Sequence, residues 1–483
     1  MLFNSFEFAI FFPVVTLAYF LIRADHRWAL LLCASALFYM AAVPGYLIMV
    51  AILAVVSYLV GLQLDQSTGR RRTAWLVVGL TAEIGMLAVF KYGGWLIESL
   101  VPWTHYLPAS RLVLPIGLSF HTFQAMSYEF DIYRGHQRAE RHFGIYALYI
   151  LFYPQLVAGP IERSAAMLPQ LHASPSFDER RVVDGLQLMA WGLFKKVVIA
   201  DRAALLVNVV YAQPRAYPGP ILLLATALFA VQIYGDFAGY TDIARGAARV
   251  MGFHLSENFR WPYAATSLAD FWHRWHISLS TWFRDYVYIP LGGNRVSRWR
   301  WARNVLVTFA LSGLWHGANW TFLIWGLLHG SALLVGGMTR ELRQRLAQAV
   351  GLPRWPRLHH GLQVLTTFAI VTVLWVWFRA ANLRDAWYIT SHLASLQPWP
   401  SAGVMARLAH AWQRTGYSSL SLAVLSGSIA AMEGAQYLQR RVGIRRLFSL
   451  QPWWLRWSCY HALLLTLAVF GVFQRSPFIY FQF

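Results

Sequence analysis

Two histidines stand in stretches where an ionisable side chain is costly. His316 lies in LWHGANW (314–320), between the apolar runs 305–311 and 321–328, and His276 lies in DFWHRWHISLSTWFRDYVYIPLGGNR (270–295), where aromatic and polar residues are mixed. Ionisable groups at membrane depth face cavities, partners or proton paths, so an intramembrane histidine is a functional candidate. Histidine is also the side chain best suited to move protons near neutral pH, with an unperturbed pKa of about 6.5. One imidazole could take the proton of a hydroxyl while a second orients or hydrogen-bonds, so His316 and His276 together suit general-base chemistry. A histidine that only bonds a neighbouring carbonyl is the competing reading. Gly317, next to His316, allows another chain or a substrate to come close.

Other polar residues collect around these two. If 270–288 is one helix, Trp272, His276, Ser280 and Arg284 fall four apart on a polar stripe, beside a greasy one of Phe271, Trp275, Leu279 and Phe283. Such a helix either lies at the headgroups or lines a wet cavity in the bundle, where Arg284 and Asp285 would meet a substrate. A third cluster, QIYGDFAGYTD (232–242), offers Tyr234, Asp236 and Asp242, whose carboxylates suit pairing with arginine, proton carriage or marking the interface. A fourth, LPIGLSFHTFQ (114–124), holds His121 and Gln124, and its Pro115 and Gly117 predict a broken helix lining a cavity. Trp315 and Asn319 flank His316 and join Gln124, Tyr234 and Asp236 as candidate substrate contacts.

Other chemistries fall away. The chain of 483 residues is 57% hydrophobic and only 13% charged, against about 25% charged in an ordinary soluble protein, so a soluble enzyme is excluded. Its net charge of +20 comes in short groups such as Arg70, Arg71, Arg72 and Arg440, Arg441, Arg445, Arg446, which read as membrane flanks rather than a nucleic-acid face. Cys33 and Cys459 sit in apolar runs and make neither a disulfide framework nor a metal spacing. His273 and His276 stand three apart without a matching carboxylate or cysteine pattern, so no metal site is expected. H-E-x-x-H, G-x-S-x-G and G-x-x-x-x-G-K-[ST] are absent, and Lys91, Lys195 and Lys196 are the only lysines for Schiff-base chemistry.

Positioning such residues requires membrane helices. A crossing needs roughly 20 apolar residues, and nine runs qualify: 6–22, 28–45, 46–64, 74–90, 219–235, 320–337, 361–378, 416–432 and 457–473. The runs 143–158, 182–200 and 304–314 are short or charged, and 112–133 and 267–289 are polar. The expectation is an all-α integral membrane protein, a polytopic bundle of about 10–12 transmembrane helices with re-entrant and interfacial helices. The first run reads as a retained span, not a signal peptide. Arg23 and Arg27 follow the first span and Arg70 to Arg72 the third, which puts those loops in the cytoplasm and the N-terminus outside. Segments 340–348, 397–401 and 439–446 read as interfacial. With no repeat or long linker, residues 1–483 read as a single membrane domain.

These blocks carry a resemblance. LPIGLSF (114–120) with TFQ (122–124), YPQLVAGPI (153–161), GLFKKVVIADR (192–202), YGDFAGYTD (234–242), ENF (257–259), the long block 271–295, LWHGANW and the ending FIYFQF (478–483) are similar to the membrane-bound O-acyltransferase (MBOAT) family. The similarity is to the bacterial branch that holds the alginate O-acetyltransferase membrane subunit and the D-alanyl transfer protein of teichoic acid modification. Departures are His273, Gly235 and Ala238, where the family pattern has an arginine, an aromatic residue and a serine. The resemblance implies that the helices surround a central tunnel, that His316 is the family's essential embedded histidine and that His276 is its second characteristic one. It implies transfer of an acyl group, usually acetyl, from a cytoplasmic thioester such as acetyl-CoA, with no bound cofactor, toward a hydroxyl on the outer side for O-acetylation of an exopolysaccharide such as alginate or cellulose. It further implies a bacterial inner-membrane location, lipid contact, and a periplasmic acceptor, either of SGNH-hydrolase type or a small protein. A transporter or flippase for a lipid-linked sugar is the rival class, suggested by the many spans and by Asp236, Asp242, His276 and His316.

Overall fold

The computed structural model describes residues 1–41, 44–95, 117–156, 159–395, 403–442, 448, 450–473 and 478–479, and all regular elements among these are helical. The chain opens with α1 (Phe6–Leu21), α2 (Arg27–Met40), α3 (Leu47–Gln66) and α4 (Gly69–Leu87), the last continued by a π-helical turn, Ala88–Tyr92. Ser5 Oγ caps α1 by accepting the Phe8 N–H at 3.2 Å. Ile10, Val14, Leu17 and Leu21 form an exposed apolar stripe on α1, a face suited to lipid contact. Five helices, Pro44–Gln66, Gly69–Trp95, Gly219–Met251, Trp320–Met338 and Pro356–Arg379, are each long and apolar enough to cross a membrane.

Next come α5 (Leu118–Tyr133), which starts at Gly117 with φ +78°, and α6 (Phe143–Leu151). The run 143–158 is therefore not one crossing. Its nine-residue helix is about 13 Å long and turns inside the protein, as a re-entrant segment does. Then follow α7 (Ser164–Ala173), α8 (Glu179–Leu193) with the π-helical segment Phe194–Ala200, α9 (Asp201–Ala212) and the 33-residue α10 (Gly219–Met251). Two short helices, α11 (Leu268–Arg274) and α12 (Ile277–Phe283), lead through a π-helical turn, Arg284–Tyr288, to α13 (Arg298–His316) and α14 (Trp320–Met338). The chain closes with α15 (Arg340–Ala349), α16 (Pro356–Arg379), α17 (Leu383–His392), α18 (Val404–Thr415), α19 (Ser419–Val442) and α20 (Trp453–Phe470). Helix α15 is charged, exposes Leu342 and Leu346, and buries none of its residues. Pro115, segment 397–401 and Arg445 and Arg446 lie outside the described residues.

The single helix expected over 270–288 is broken. His276 takes φ +43° and ψ +56°, ends the run of α11 and starts α12, so Trp272 is not on one stripe with Ser280 and Arg284. No proline or glycine marks the break. Instead, residues 256–260 run beside it and bond its backbone, which offsets the cost of a left-handed residue, roughly 1–2 kcal/mol.

Helices α8 and α10 pack closely along a glycine seam. Gly185 faces Gly246 and Gly192 faces Gly239, seven residues apart on each antiparallel helix, so that a Cβ on Gly192 would meet the Gly239 carbonyl at 2.5 Å and one on Gly246 the Gly185 carbonyl at 2.6 Å. Small residues at this spacing let helix backbones touch where no hydrophobic force acts between them. Beside this seam Lys196 is fully buried and pairs with Asp201 at 2.9 Å and Asp236 at 2.8 Å, while the other Asp236 oxygen accepts the Ile479 N–H at 2.8 Å.

The contacts also sort the ends of helices by side. Arg27 donates to the Pro175 carbonyl at 2.7 Å, and a Cβ on Gly252 would touch Pro175, so the start of α8 and the end of α10 lie on the side of Arg27. Arg72 donates to the Ile132 carbonyl at 2.6 Å, which brings the end of α5 to the same arginine-rich side. Arg134, next on from α5, donates to the Asp285 carbonyl at 3.3 Å, so the π-helical turn before α13 is there too.

Candidate active site

Helix α13 carries His316 away from the arginine-rich side: its 19 residues span about 28 Å. His316 ends the helix, and Asn319 starts the next, its Oδ1 accepting the Thr321 N–H at 3.0 Å and its Nδ2 donating to the Ala381 carbonyl at 3.3 Å. The space that Gly317 opens is taken by the Phe322 ring, which a Cβ would strike, so the glycine serves the turn rather than an incoming chain. Helix ends leave carbonyls to be satisfied. Here Tyr92 donates to the Leu314 carbonyl at 2.7 Å, and Lys91 donates to the Trp315 carbonyl and, at 3.2 Å, to Ser119 Oγ. Lys91 thus ties the turn after α4 to the helix end that carries the histidine.

His316 is 6% exposed, within an aromatic cage of Trp315, Trp325 and Phe378 with ring centroids at 4.9, 5.1 and 5.1 Å. His276, 1% exposed, meets Phe237 edge-on at 4.6 Å and lies 6.1 Å from Trp315. The Trp315 indole is therefore shared: one face of the site brings together the two histidines predicted from sequence, with Trp315 touching both. Phe123 of α5 stacks on Trp282 at 3.7 Å and on Trp315 at 5.5 Å, which locks the indole in place. A third histidine, His329, is fully buried with Trp272 and Trp325 at 5.0 and 4.9 Å. It shares Trp325 with His316.

The turn that carries His276 is held from the loop 256–260. The Ile277 N–H donates to the Asn258 carbonyl at 3.0 Å, the Ser278 N–H to Asn258 Oδ1 at 3.2 Å, and the Arg260 N–H to the Arg274 carbonyl at 3.0 Å. On its other side this loop borders a cavity of about 700 Å³ between α8, α10 and α19. Lys195, Tyr234, Asp242, Arg245, Asn258 and Arg440 are among its lining residues, with Arg245 and Arg440 toward the arginine-rich side and Lys195 and Tyr234 deeper, along the continuation of α8 and along α10. Some of its charges are paired with each other, Lys195 with Asp242 at 2.7 Å, Arg245 with Asp242 at 3.6 Å and Arg260 with Glu257 at 2.8 Å, while Arg274 pairs with Asp270 at 2.7 Å and Arg440 lies over the Trp261 ring at 5.9 Å.

The remaining predicted residues scatter. Tyr234 lines the cavity and donates to Gln436 Oε1 at 2.6 Å. Asp236 points to Lys196 and the chain's C-terminal segment, away from the histidines. Arg284 and Asp285 pair at 2.7 Å at the far end of the α12 segment, where Arg163 joins Asp285 at 3.4 Å. Gln124 is buried in α5, its carbonyl accepting from Ser127 Oγ at 2.8 Å. Asp242 takes the arginine-pairing option left open above. Lys91, Asn258 and His329 were not singled out. His329 carried the same signal as His316, a histidine inside an apolar run, and Lys91 the rarity of lysine in this chain; Asn258 carried none beyond the ENF block.

Two buried histidines that share one indole, with a charged cavity beside the turn of the second, form a site suited to acyl transfer within a helical membrane protein. The sequence profile described as MBOAT, membrane-bound O-acyltransferase family, matches residues 57–379, and the chain belongs to this family. It is 38% identical to a protein of Pseudomonas aeruginosa described as a probable alginate O-acetylase AlgI, over 82% of this chain and 75% of the relative. A protein of Pseudomonas putida with the same description is 34% identical over 99% of both chains. The peptidoglycan O-acetyltransferase of Helicobacter pylori is 34% identical over 82% of this chain and 80% of its own length. The protein is thus an O-acyltransferase that uses an acyl donor, and a multi-pass protein of the bacterial inner membrane.

Proposed function

We propose that this enzyme moves an acetyl group from a cytoplasmic thioester, acetyl-CoA, across the membrane to a hydroxyl on the periplasmic side. The observation that carries the reading is the sharing of Trp315 by His276 and His316, with the cavity behind His276 on the side that the positive-inside rule assigns to the cytoplasm. The donor occupies the cavity with its acyl end toward the histidines, and only the small acyl group passes them. His316 is the general base: its imidazole takes the acceptor hydroxyl proton as the oxygen attacks the thioester carbonyl. The carbonyl oxygen becomes an oxyanion, for which His276 is the hydrogen-bond donor. Collapse breaks the C–S bond, and the thiolate leaves with the proton that His316 had taken.

In the same reading Trp315 and Tyr234 line the donor's path, and Asn319, whose polar ends hold the turn, sets His316 rather than the oxyanion. Gln124, Asp236, Arg284 and Asp285 brace the surrounding helices. The acceptor is a serine of a periplasmic partner of SGNH type, or a small partner protein, which hands the acetyl group to an exopolysaccharide such as alginate or cellulose. The similarity to alginate and peptidoglycan O-acetylating enzymes supports a polysaccharide as final acceptor. Residues 1–483 act as one membrane domain, a reading supported by the bonds that tie the segment after the family match back into it, from the Val472 N–H to the Val197 carbonyl at 2.9 Å and from Ile479 to Asp236. The test is acetyl-CoA consumption by purified protein in nanodiscs: wild type is expected to turn over, and His316→Ala is not. Equal consumption by the two would end this reading.

A further inference from the structure

Asn258 is fully buried where the cavity meets the turn of His276. Two of its polar groups are spent on that turn, the carbonyl on the Ile277 N–H and Oδ1 on the Ser278 N–H. Its third, Nδ2, has no hydrogen-bond partner among the described residues. A buried amide donor left without an acceptor is costly, and natural structures keep few of them. The cavity it lines is large enough for a ligand; Lys195, Arg245 and Arg260 are engaged with Asp242 and Glu257, whereas Arg440, over the Trp261 ring at 5.9 Å, adds a further cation to the lining. Asn258 is a neutral donor on a wall whose cations outnumber its carboxylates: the cations suit a ligand's anionic groups, and the uncharged amide suits a carbonyl oxygen.

We propose that Asn258 couples the cavity to His276: its carbonyl and Oδ1 hold the histidine in its left-handed turn, and its Nδ2 donates to an amide carbonyl of the acyl donor's thiol-bearing arm. The ligand class is an amide-bearing thioester, and the proposal rests on the acyl-donor reading above. With donor bound, the same side chain contacts the arm and the backbone that sets the imidazole, so occupancy stiffens the turn. Asn258 is on this account a donor-binding residue and a positioning residue for His276.

Two variants separate the two roles. Asn258→Asp keeps an acceptor for the Ser278 N–H but loses the donor; Asn258→Ala loses both. With acetyl-CoA as the varied substrate and the full chain in nanodiscs, Asn258→Asp is expected to raise KM about tenfold with kcat within about threefold of wild type, whereas Asn258→Ala also loses about tenfold in kcat. An unchanged KM in Asn258→Asp overturns the ligand contact, and an unchanged kcat in Asn258→Ala overturns the positioning role. If both variants fail to fold, a cryo-EM map of wild type with coenzyme A decides: an arm carbonyl within hydrogen-bonding distance of Nδ2 supports the proposal, and coenzyme A bound without touching Asn258 overturns it. Wild type that neither binds coenzyme A nor consumes acetyl-CoA is a failure of the donor reading. The positioning role is then read from the His276 backbone in a map of Asn258→Ala: departure from positive φ supports it, and an unmoved turn overturns it.

Discussion

His316 and His276 are held by different means, and this predicts different mutational behaviour. His316 closes a regular helix whose last carbonyls are taken by Tyr92 and Lys91, so removing its imidazole leaves the backbone supported. His316→Ala is expected to lower acetyl transfer by about 10²–10⁴-fold, the range of general-base catalysis, with an unchanged thermal midpoint by intrinsic fluorescence. His276 sits at positive φ, a conformation that asparagine tolerates better than alanine. His276→Asn, which also keeps a side-chain donor, is expected to retain more activity than His276→Ala, and the reverse order in parallel rate assays would count against an oxyanion role. Lys91→Met orphans the Trp315 carbonyl, a loss of about 1–3 kcal/mol, and should lower both the melting temperature and kcat. The histidines were legible in the sequence because an ionisable residue between apolar runs has few innocent explanations. The partners that hold them were not: Lys91 is 225 residues from His316 and Asn258 is 18 from His276, and nothing local links either pair. Asp236 and Arg284 show the converse, charged residues near the right blocks that turn toward other partners.

At the scale of elements, the close seam between α8 and α10 decides where Lys195 and Asp242 stand, and so one wall of the cavity. Gly192→Leu would drive a side chain into the Gly239 carbonyl. Overpacking of this kind costs about 1–3 kcal/mol or more, and the variant is expected to melt several degrees lower and to show a raised KM for acetyl-CoA in the consumption assay. Lys196→Met leaves Asp201 and Asp236 buried without their cation; breaking such a pair from one side costs about 3–5 kcal/mol, enough to lower the yield of folded protein in detergent sharply. Long apolar runs such as 46–64 and 320–337 were legible as helices because hydropathy alone specifies them. The break at His276 was not, since its cause is the pairing of residues 256–260 with 274–278 and no breaker residue stands there. The stop of α6 at Leu151 has a local signal by contrast, Pro154 three residues on, although the apolar run continues to 158.

Across the whole molecule, the cavity, Asn258, His276, Trp315 and His316 follow one another from the arginine-rich side toward the far end of α13. Arg23, Arg27 and Arg70 to Arg72 predict a sidedness through the positive-inside bias, whereas the polar axis has no such local signal, because it is assembled from six separate segments. In a background with Cys33 and Cys459 replaced by serine, a cysteine at Arg440 is expected to react with a membrane-impermeant maleimide only in inside-out vesicles, and one at Ala381 only in right-side-out vesicles. The central claim is tested most directly in sealed proteoliposomes with acetyl-CoA supplied on the cavity side and the periplasmic acceptor on the other. The account predicts acetyl groups on the acceptor in the opposite compartment with wild type and none with His316→Ala. Transfer that persists in His316→Ala, or that occurs only when donor and acceptor share a compartment, would contradict it.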